Sequence, residues 1–327
     1  MVYDLYSIKK IFKSSLLMYL VIGLSILCIV YSIYSVTQFR VNSTDKYVIC
    51  MPEGGLCDMM ARIHDCIEYC KKYNRTLILD TRHATHATDF METYFTTHSP
   101  YIYKGDVDAK YASLKGKTFY PPELHDTFST MEVQWTNEYS IIDVATRVPT
   151  YFDLTRSYSE DVLLFRDCGG GVNKTMGFLS MSKITPLVKH VYEKRRATLP
   201  EKYTAVHIRN TDRKSDVDGF IEQHETTFEH ATIFLATDDS ATIKKFKELY
   251  GDRVHTFSVP DPKGVEIGIH HVKKSLEETR VQTIDAIVDL LLLANGESLY
   301  YSHKKSGFSM VANALHKDPY VLRQLIE

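Results

Sequence analysis

The sequence predicts an α/β protein of two successive, facing Rossmann-like halves, preceded by one transmembrane helix. Three observations carry this. Between residues 46 and 80 a strand, a Gly-rich turn, a helix and a second strand follow one another, a βαβ unit that implies parallel pairing. From about residue 185 to 315 strands and helices alternate again. Ahead of both, residues 14–39 carry no charge, and crossing a bilayer takes about 20 apolar residues.

In chain order, the apolar run from Leu16 to Val36 comes first. Lys9, Lys10 and Lys13 precede it, and Arg40 and Lys46 follow. The positive-inside rule puts the short N-terminus in the cytosol. A cleaved signal peptide is the alternative. Its apolar core would be shorter, about 7–15 residues, and would end at a small-residue cleavage site; Ile33-Tyr-Ser-Val-Thr-Gln38 is a poor one. The expected organisation is a cytosolic tail (1–15), a signal anchor (16–36) in contact with the lipid bilayer, a stem (37–45), an N-terminal α/β domain (46–175) and a C-terminal α/β domain (176–327). The anchor implies a single-pass type II protein of the Golgi or another secretory membrane. Sequons at Asn42, Asn74 and Asn173 fit a lumenal setting.

Beyond the stem, Lys46–Met51 reads as a strand and Pro52-Glu-Gly-Gly55 as a turn. Leu56–Tyr73 repeats apolar residues at helical spacing, and Thr76–Asp80 is the next strand. Residues 83–160 read as loops with smaller elements, before a strand at Asp161–Phe165 that runs into Cys168-Gly-Gly-Gly171. Thr185 and Pro186 start a helix reaching about Arg196. Lys202–Ile208 and Thr232–Ala236 are strands, and Ser240 opens a helix that closes at Gly251. Val254–Phe257 is a short strand, Thr283–Asn295 a buried helix, Leu299–Ser302 a strand and Phe308–Leu315 a helix.

The composition is that of a folded globular chain: 327 residues, 44% hydrophobic and 24% charged, with net charge −2. No basic excess points to nucleic acid. Of six cysteines, Cys28 falls in the apolar run. The other five leave room for one or two disulfides, and at least one must stay free or pair between chains. No His/Cys spacing suggests zinc.

Five short stretches could carry chemistry. Thr204–Asp216 is a strand ending in charge. His207 and Arg209, two residues apart, share a face at its carboxyl end, where the Arg fork suits a phosphate. A salt bridge for Arg209 and a satisfied core His207 are the plainer reading. Phe234–Asp239 is a second strand ending in polar groups, Thr237, Asp238 and Asp239, which suit a ligand; the plainer reading is a helix cap by Asp239 or Ser240. Asp285 and Asp289 lie one turn apart on an apolar helix, where a carboxylate needs a donor such as an Arg or a guanine edge. Ser302–Ser309 joins a strand to a helix whose N-terminus suits a phosphate, with Ser306, Gly307 and Ser309 in place, or with a simple Ser cap. Gly54 and Gly55 let the backbone approach a ligand; neither a dinucleotide fingerprint nor a P-loop is present.

In this order, the stretches resemble the GDP-fucose-dependent fucosyltransferases of the α1,2/α1,6/protein-O-fucosyl superfamily. The matching residues are Gly54-Gly-Leu56, His207-Ile-Arg209-Asn-Thr-Asp212, Ala236-Thr-Asp-Asp239, Asp289 and Ser306-Gly-Phe-Ser309. The resemblance covers about residues 47–320. It implies a GT-B fold and an inverting glycosyltransferase moving fucose from GDP-fucose to a glycan or glycoprotein hydroxyl, with no obligatory metal. Arg209 would hold the β-phosphate, His207 and Asp289 would meet guanine, and Ser309 or its neighbours a phosphate. Many members carry a second Arg where this chain has Asn210. For the base that takes the acceptor proton, Asp216, Asp218 and Glu222 follow at suitable distance, with Asp218 and Asp216 favoured over Asp212. Two other readings remain: a GT-B transferase with another nucleotide sugar, and a glycan-binding relative without turnover.

Overall fold

The computed structural model describes residues 24–26, 45–84, 90–136, 140–260 and 275–327. The chain forms two compact units, residues 1–44 and 45–327. Of the first, residues 24–26 are described; they are helical and exposed. The rest of the expected anchor, the tail and nearly all of the stem lie outside the described residues. Among the described residues no helix is long and apolar enough to cross a membrane.

The second unit is built on two four-stranded parallel sheets. The first contains β1 (Tyr47–Pro52), β2 (Thr76–Leu79), β3 (Phe119–Tyr120) and β4 (Val162–Asp167), in the order β2-β1-β4-β3. The second contains β5 (Thr204–Ile208), β6 (Ile233–Thr237), β7 (Val254–His255) and β8 (Ser298–Tyr301), in the order β7-β6-β5-β8. The strand expected to reach Phe257 thus ends at His255.

The main helices are α1 (Leu56–Tyr73), α2 (Val172–Ser180), α3 (Pro186–Arg196), α4 (Val217–Phe228), α5 (Ser240–Tyr250), α6 (Leu276–Ala294), α7 (Gly307–Lys317) and α8 (Pro319–Ile326). Helix α6 begins well before the expected Thr283. Ser275 and Glu278 form a reciprocal capping box there, which sets the start independently of apolar periodicity. Asp318 caps α8, which has Pro319 at its first position.

Strand alternation divides the apolar residues among three cores. On β1, Val48 and Cys50 face a central cluster while Tyr47, Ile49 and Met51 face an outer one. On β5 and β6, Ala205, Phe234 and Ala236 join the same central cluster, while Val206, Ile208, Ile233 and Leu235 face a third. The central core therefore runs from one sheet to the other, filled by residues of α1, α2, α6, α7 and α8. Helix α2 spans the boundary expected at residue 175 and packs on α1, and α8 returns to pack on α2.

Cys50, Cys57, Cys66, Cys70 and Cys168 are free thiols, so the room left for disulfides goes unused among the described residues. Cys50, Cys66 and Cys70 are fully buried and pack as small apolar groups in the central core.

Candidate active site

In an open parallel sheet, ligands bind beyond the carboxyl ends of the strands, where the connections diverge to either side. In the second sheet that place is between β5 and β8; in the first it is between β1 and β4. The segments leaving all four strands line one cavity of about 520 Å³.

Strand β5 contributes His207 on its central-core face, and Arg209 just past its end; both line the cavity. His207 is buried, its Nδ1 lies 2.6 Å from Ser309 Oγ, and its ring packs 5.1 Å from that of Phe308. Burial, and then the charge of Arg209, push its pKa down to about 3, so the imidazole is neutral near pH 7. Arg209 donates through Nε and Nη2 to Asp212 Oδ1, at 3.1 and 2.6 Å.

The end of β6 supplies Asp238 and Asp239, with different outcomes. Asp238 lines the cavity while accepting from the Asn210 backbone N–H at 2.6 Å and the Thr211 hydroxyl at 2.7 Å. Asp239 does not line it. Its carboxylate caps α5, accepting from Ala241, Thr242 and the Asn210 side chain. The donor contact expected of Asp239 is replaced by a helix cap, the commonest use of Asp at that position. Asn210 is thereby a strut: it donates to Asp239 and accepts from the Ser215 N–H at 3.1 Å.

The turn after β8 brings Lys305, Ser306, Gly307 and Phe308 to the wall. Ser306 caps α7 by accepting from Ser309 N–H. The first-turn amides of such a helix have no intrahelical acceptor and favour an anion. Ser309 is fully buried behind His207 and does not reach the cavity, so its part is to hold the imidazole rather than a phosphate. Arg213, from the loop after β5, donates to the Lys305 carbonyl at 3.1 Å and also lines the cavity.

Helix α6 delivers Asp285 and Asp289. Arg195, in the last turn of α3, forms an ion pair with Asp285 and comes within 3.8 Å of Asp289 Oδ1, too far to hydrogen-bond. Asp289 Oδ2 accepts from Ser258 Oγ at 2.5 Å, while Oδ1 is buried with no hydrogen-bond partner among the described residues. Burial pushes this carboxyl up to about 7, against the pull of Ser258 and Arg195. A buried, unsatisfied acceptor on a cavity wall is costly unless a ligand donates to it.

From the first sheet, Gly55, Leu56, Cys57, Asp58 and Gly170 face the cavity. Gly54 stands one step back at φ +94°, a backbone turn that suits glycine.

The two carboxylates expected to act as base are elsewhere. Asp216 caps α4 by accepting from Gly219 N–H at 3.0 Å, and Asp218 is exposed in an ion pair with Lys245. Neither lines the cavity. The strut through Asn210 and Ser215 folds the loop back, α4 starts at once, and its first turn points to solvent. Asp58, Arg213, Ser258 and Arg195 went unassigned in the sequence. Asp58 had a signal, standing in the first turn of a helix directly after Gly-Gly; Arg195 and Ser258 had none, because they reach Asp289 only through the fold. Among the described residues no group of His, Cys, Asp and Glu is placed to hold a metal ion.

No protein-family model matches the chain, and no curated protein matches its sequence. Solved structures do match its fold. The fucosyltransferase NodZ from Bradyrhizobium aligns with a TM-score of 0.58 at 14% identity, over 84% of this chain and 94% of that one. The NodZ alpha-1,6-fucosyltransferase co-crystallised with GDP aligns at 0.57 and 13% identity, over 84% and 93%. The form soaked with GDP-fucose aligns at 0.54 and 14% identity, over 83% and 93%. The described chain shares the fold of these fucosyltransferase structures.

Proposed function

We propose that this chain is an inverting glycosyltransferase that transfers fucose from GDP-fucose to a hydroxyl of a glycan or glycoprotein. The observation that carries the reading is Asp289 Oδ1, a buried acceptor with Arg195 at 3.8 Å but no hydrogen-bond partner among the described residues, on the wall of the cavity that also holds Arg209. Guanine presents N1–H and N2–H donors side by side, which a carboxylate can accept together. Uracil offers one N–H between two carbonyls and would leave a carboxylate oxygen facing another acceptor. The likeness of fold supports fucose as the sugar.

In this reading the base lies against Asp289, with His207 and Phe308 beside it. The diphosphate meets Arg209, Arg213 and the first turn of α7. Charge develops on the β-phosphate oxygen as the glycosidic bond breaks. A fixed guanidinium aimed at that oxygen stabilises the transition state more than the ground state. No metal is needed for that step, since the cations are already in place. The run 16–36 supports a type II anchor in a secretory membrane such as the Golgi, with the described body lumenal.

The test is calorimetric titration of the full chain in detergent with GDP, GDP-fucose, GDP-mannose and UDP, with Arg209→Ala alongside. GDP and GDP-fucose should bind, UDP should not, and Arg209→Ala should lose the GDP signal. Equal binding of UDP and GDP would remove the guanine argument.

A further inference from the structure

The structure assigns Asp58 as the catalytic carboxylate that takes the proton from the acceptor hydroxyl, seated in a cradle of glycines drawn from two strand ends. This rests on the fucosyltransferase reading above and names the base that reading lacks.

Stereochemistry sets the requirement. In an inverting transfer the acceptor oxygen attacks C1 from the side opposite the departing diphosphate. The base therefore belongs across the sugar from the groups that hold the diphosphate. Those groups, Arg209, Arg213 and the turn before α7, all come from the second sheet's half. Five carboxylates line the described cavity: Asp58, Asp212, Asp238, Asp285 and Asp289. The last four also belong to the second half, and each is engaged there with Arg209, the Asn210–Thr211 segment, Arg195 or Ser258. Asp58 alone comes from the first sheet's end.

The surroundings of Asp58 are built for it. Its Oδ2 accepts from the Gly55 N–H at 3.2 Å, which fixes the carboxylate at the mouth of α1. A Cβ on Gly170 would stand 2.4 Å from Oδ1, one on Gly55 would stand 3.3 Å from Oδ2, and one on Gly54 would stand 3.1 Å from Asp58 Cβ. Residues 54–55 follow β1 and residue 170 follows β4, so glycines from both sides of the switch point clear space for one side chain. The Cys168-Gly-Gly-Gly171 stretch, idle in the donor site, acquires a purpose. Burial raises the carboxyl's pKa although the Gly55 N–H, Arg62, Arg209 and Arg213 oppose it, which makes Asp58 a stronger base than an exposed carboxylate.

The step balances without a further reactant. The acceptor O–H bond breaks and its proton passes to an Asp58 oxygen. The acceptor oxygen forms the new bond to C1 of fucose. The C1–O bond to the β-phosphate breaks, and its electron pair leaves with GDP beside Arg209. Asp58 then returns the proton to solvent.

The experiment compares the full-length wild type with Asp58→Asn, which keeps an acceptor for Gly55 N–H. GDP affinity is measured by calorimetry. GDP release from GDP-fucose is measured with water and free oligosaccharides as hydroxyl acceptors, and with azide, a nucleophile that carries no proton. The expected result is unchanged GDP affinity, a loss of about 100-fold or more with hydroxyl acceptors, and azide transfer kept near the wild-type rate. Hydroxyl transfer within a few-fold of wild type would overturn the assignment. So would parallel loss with azide, which would make Asp58 a structural group. If wild type fails to bind GDP, or releases none from GDP-fucose, the donor reading falls and this assignment falls with it; GDP binding and turnover with an active Asp58→Asn would remove Asp58 alone.

Discussion

The two strand ends that meet at the cavity are built on opposite plans. The second sheet's end is crowded and cross-linked. Arg209 is held by Asp212, His207 by Ser309, and the 210–215 loop by Asp238, Asp239 and Asn210. Toward the cavity the first sheet's end presents one carboxylate, Asp58, with Gly54, Gly55 and Gly170 about it, while its other charged groups pair with one another, Glu53 with Arg166 and Asp167 with Arg62. On the proposed reading, the end that presents fixed charges to a diphosphate benefits from side chains locked before the ligand arrives, and the end that admits the acceptor benefits from space. The contrast predicts that damage at the second end costs donor binding, whereas damage at the first costs transfer with GDP affinity intact.

Arg209→Ala breaks that comparison most severely. Loss of the guanidinium should slow turnover of GDP-fucose about 1,000-fold, the upper range for removing one transition-state donor. A steady-state assay beside GDP calorimetry checks it. Turnover close to wild type would mean the diphosphate lies elsewhere. Asp289→Asn comes next. It swaps an acceptor for a donor opposite guanine and should weaken GDP binding about 30-fold, in line with a lost hydrogen bond to a charged group. UDP should bind neither the wild type nor the variant.

Gly170→Ala tests the other side. The added Cβ meets Asp58 Oδ1, so the carboxylate must shift, and transfer should fall about tenfold, as a displaced general base loses part of its effect. GDP affinity should hold; a matching fall in GDP affinity would mean that the two ends are not separable.

A pH series sharpens the donor side. Asp289 is held up at about 7 by burial, and guanine needs the ionised form. GDP affinity should therefore fall as pH drops below about 7, by at most about tenfold per pH unit, with a proton released on binding. Asp289→Asn should flatten the profile. Stability slopes the other way. A carboxyl whose folded pKa stands above its unfolded value, about 3.9, takes up a proton on folding between the two. Its contribution is thus greatest in acid and declines as pH rises through about 7. His207 acts oppositely. Its folded pKa, pushed down to about 3, lies below the unfolded value of about 6.5. Its contribution is present above the unfolded value and is lost as pH falls toward 3. The smallest effect belongs to Ser309→Ala, which removes the oxygen beside His207 Nδ1 and should lower GDP affinity a few-fold while costing about 1 kcal/mol of thermal stability.

Much of the framework was legible because short-range physics decides it. The apolar spacing from Leu56 to Tyr73, Pro186 at the start of α3, and Gly251 at the end of α5 each record a local choice that the structure repeats. The N-terminal part of α6 was missed because it buries no apolar face, Leu276 and Val281 being exposed, although the Ser275–Glu278 box was present to be read. Among the described residues between 83 and 160 the elements are two to six residues long, too short for a period to show.

His207 and Arg209 could be paired from sequence because strand alternation alone gives them one face. Asp216 and Asp218 carried the same kind of proximity along the chain, and proximity failed: a cap and a surface lysine claim them within one turn. What sequence determined by itself was which segments are strands and helices, and which strand ends carry charge. The tertiary structure decided which ends face one cavity, that Arg195 reaches Asp285 and Asp289 from a distant helix, and that Gly170 leaves room for Asp58. Those relations join residues roughly 90 to 110 positions apart. They arise when the central core closes between the sheets, and no local preference of the chain encodes them.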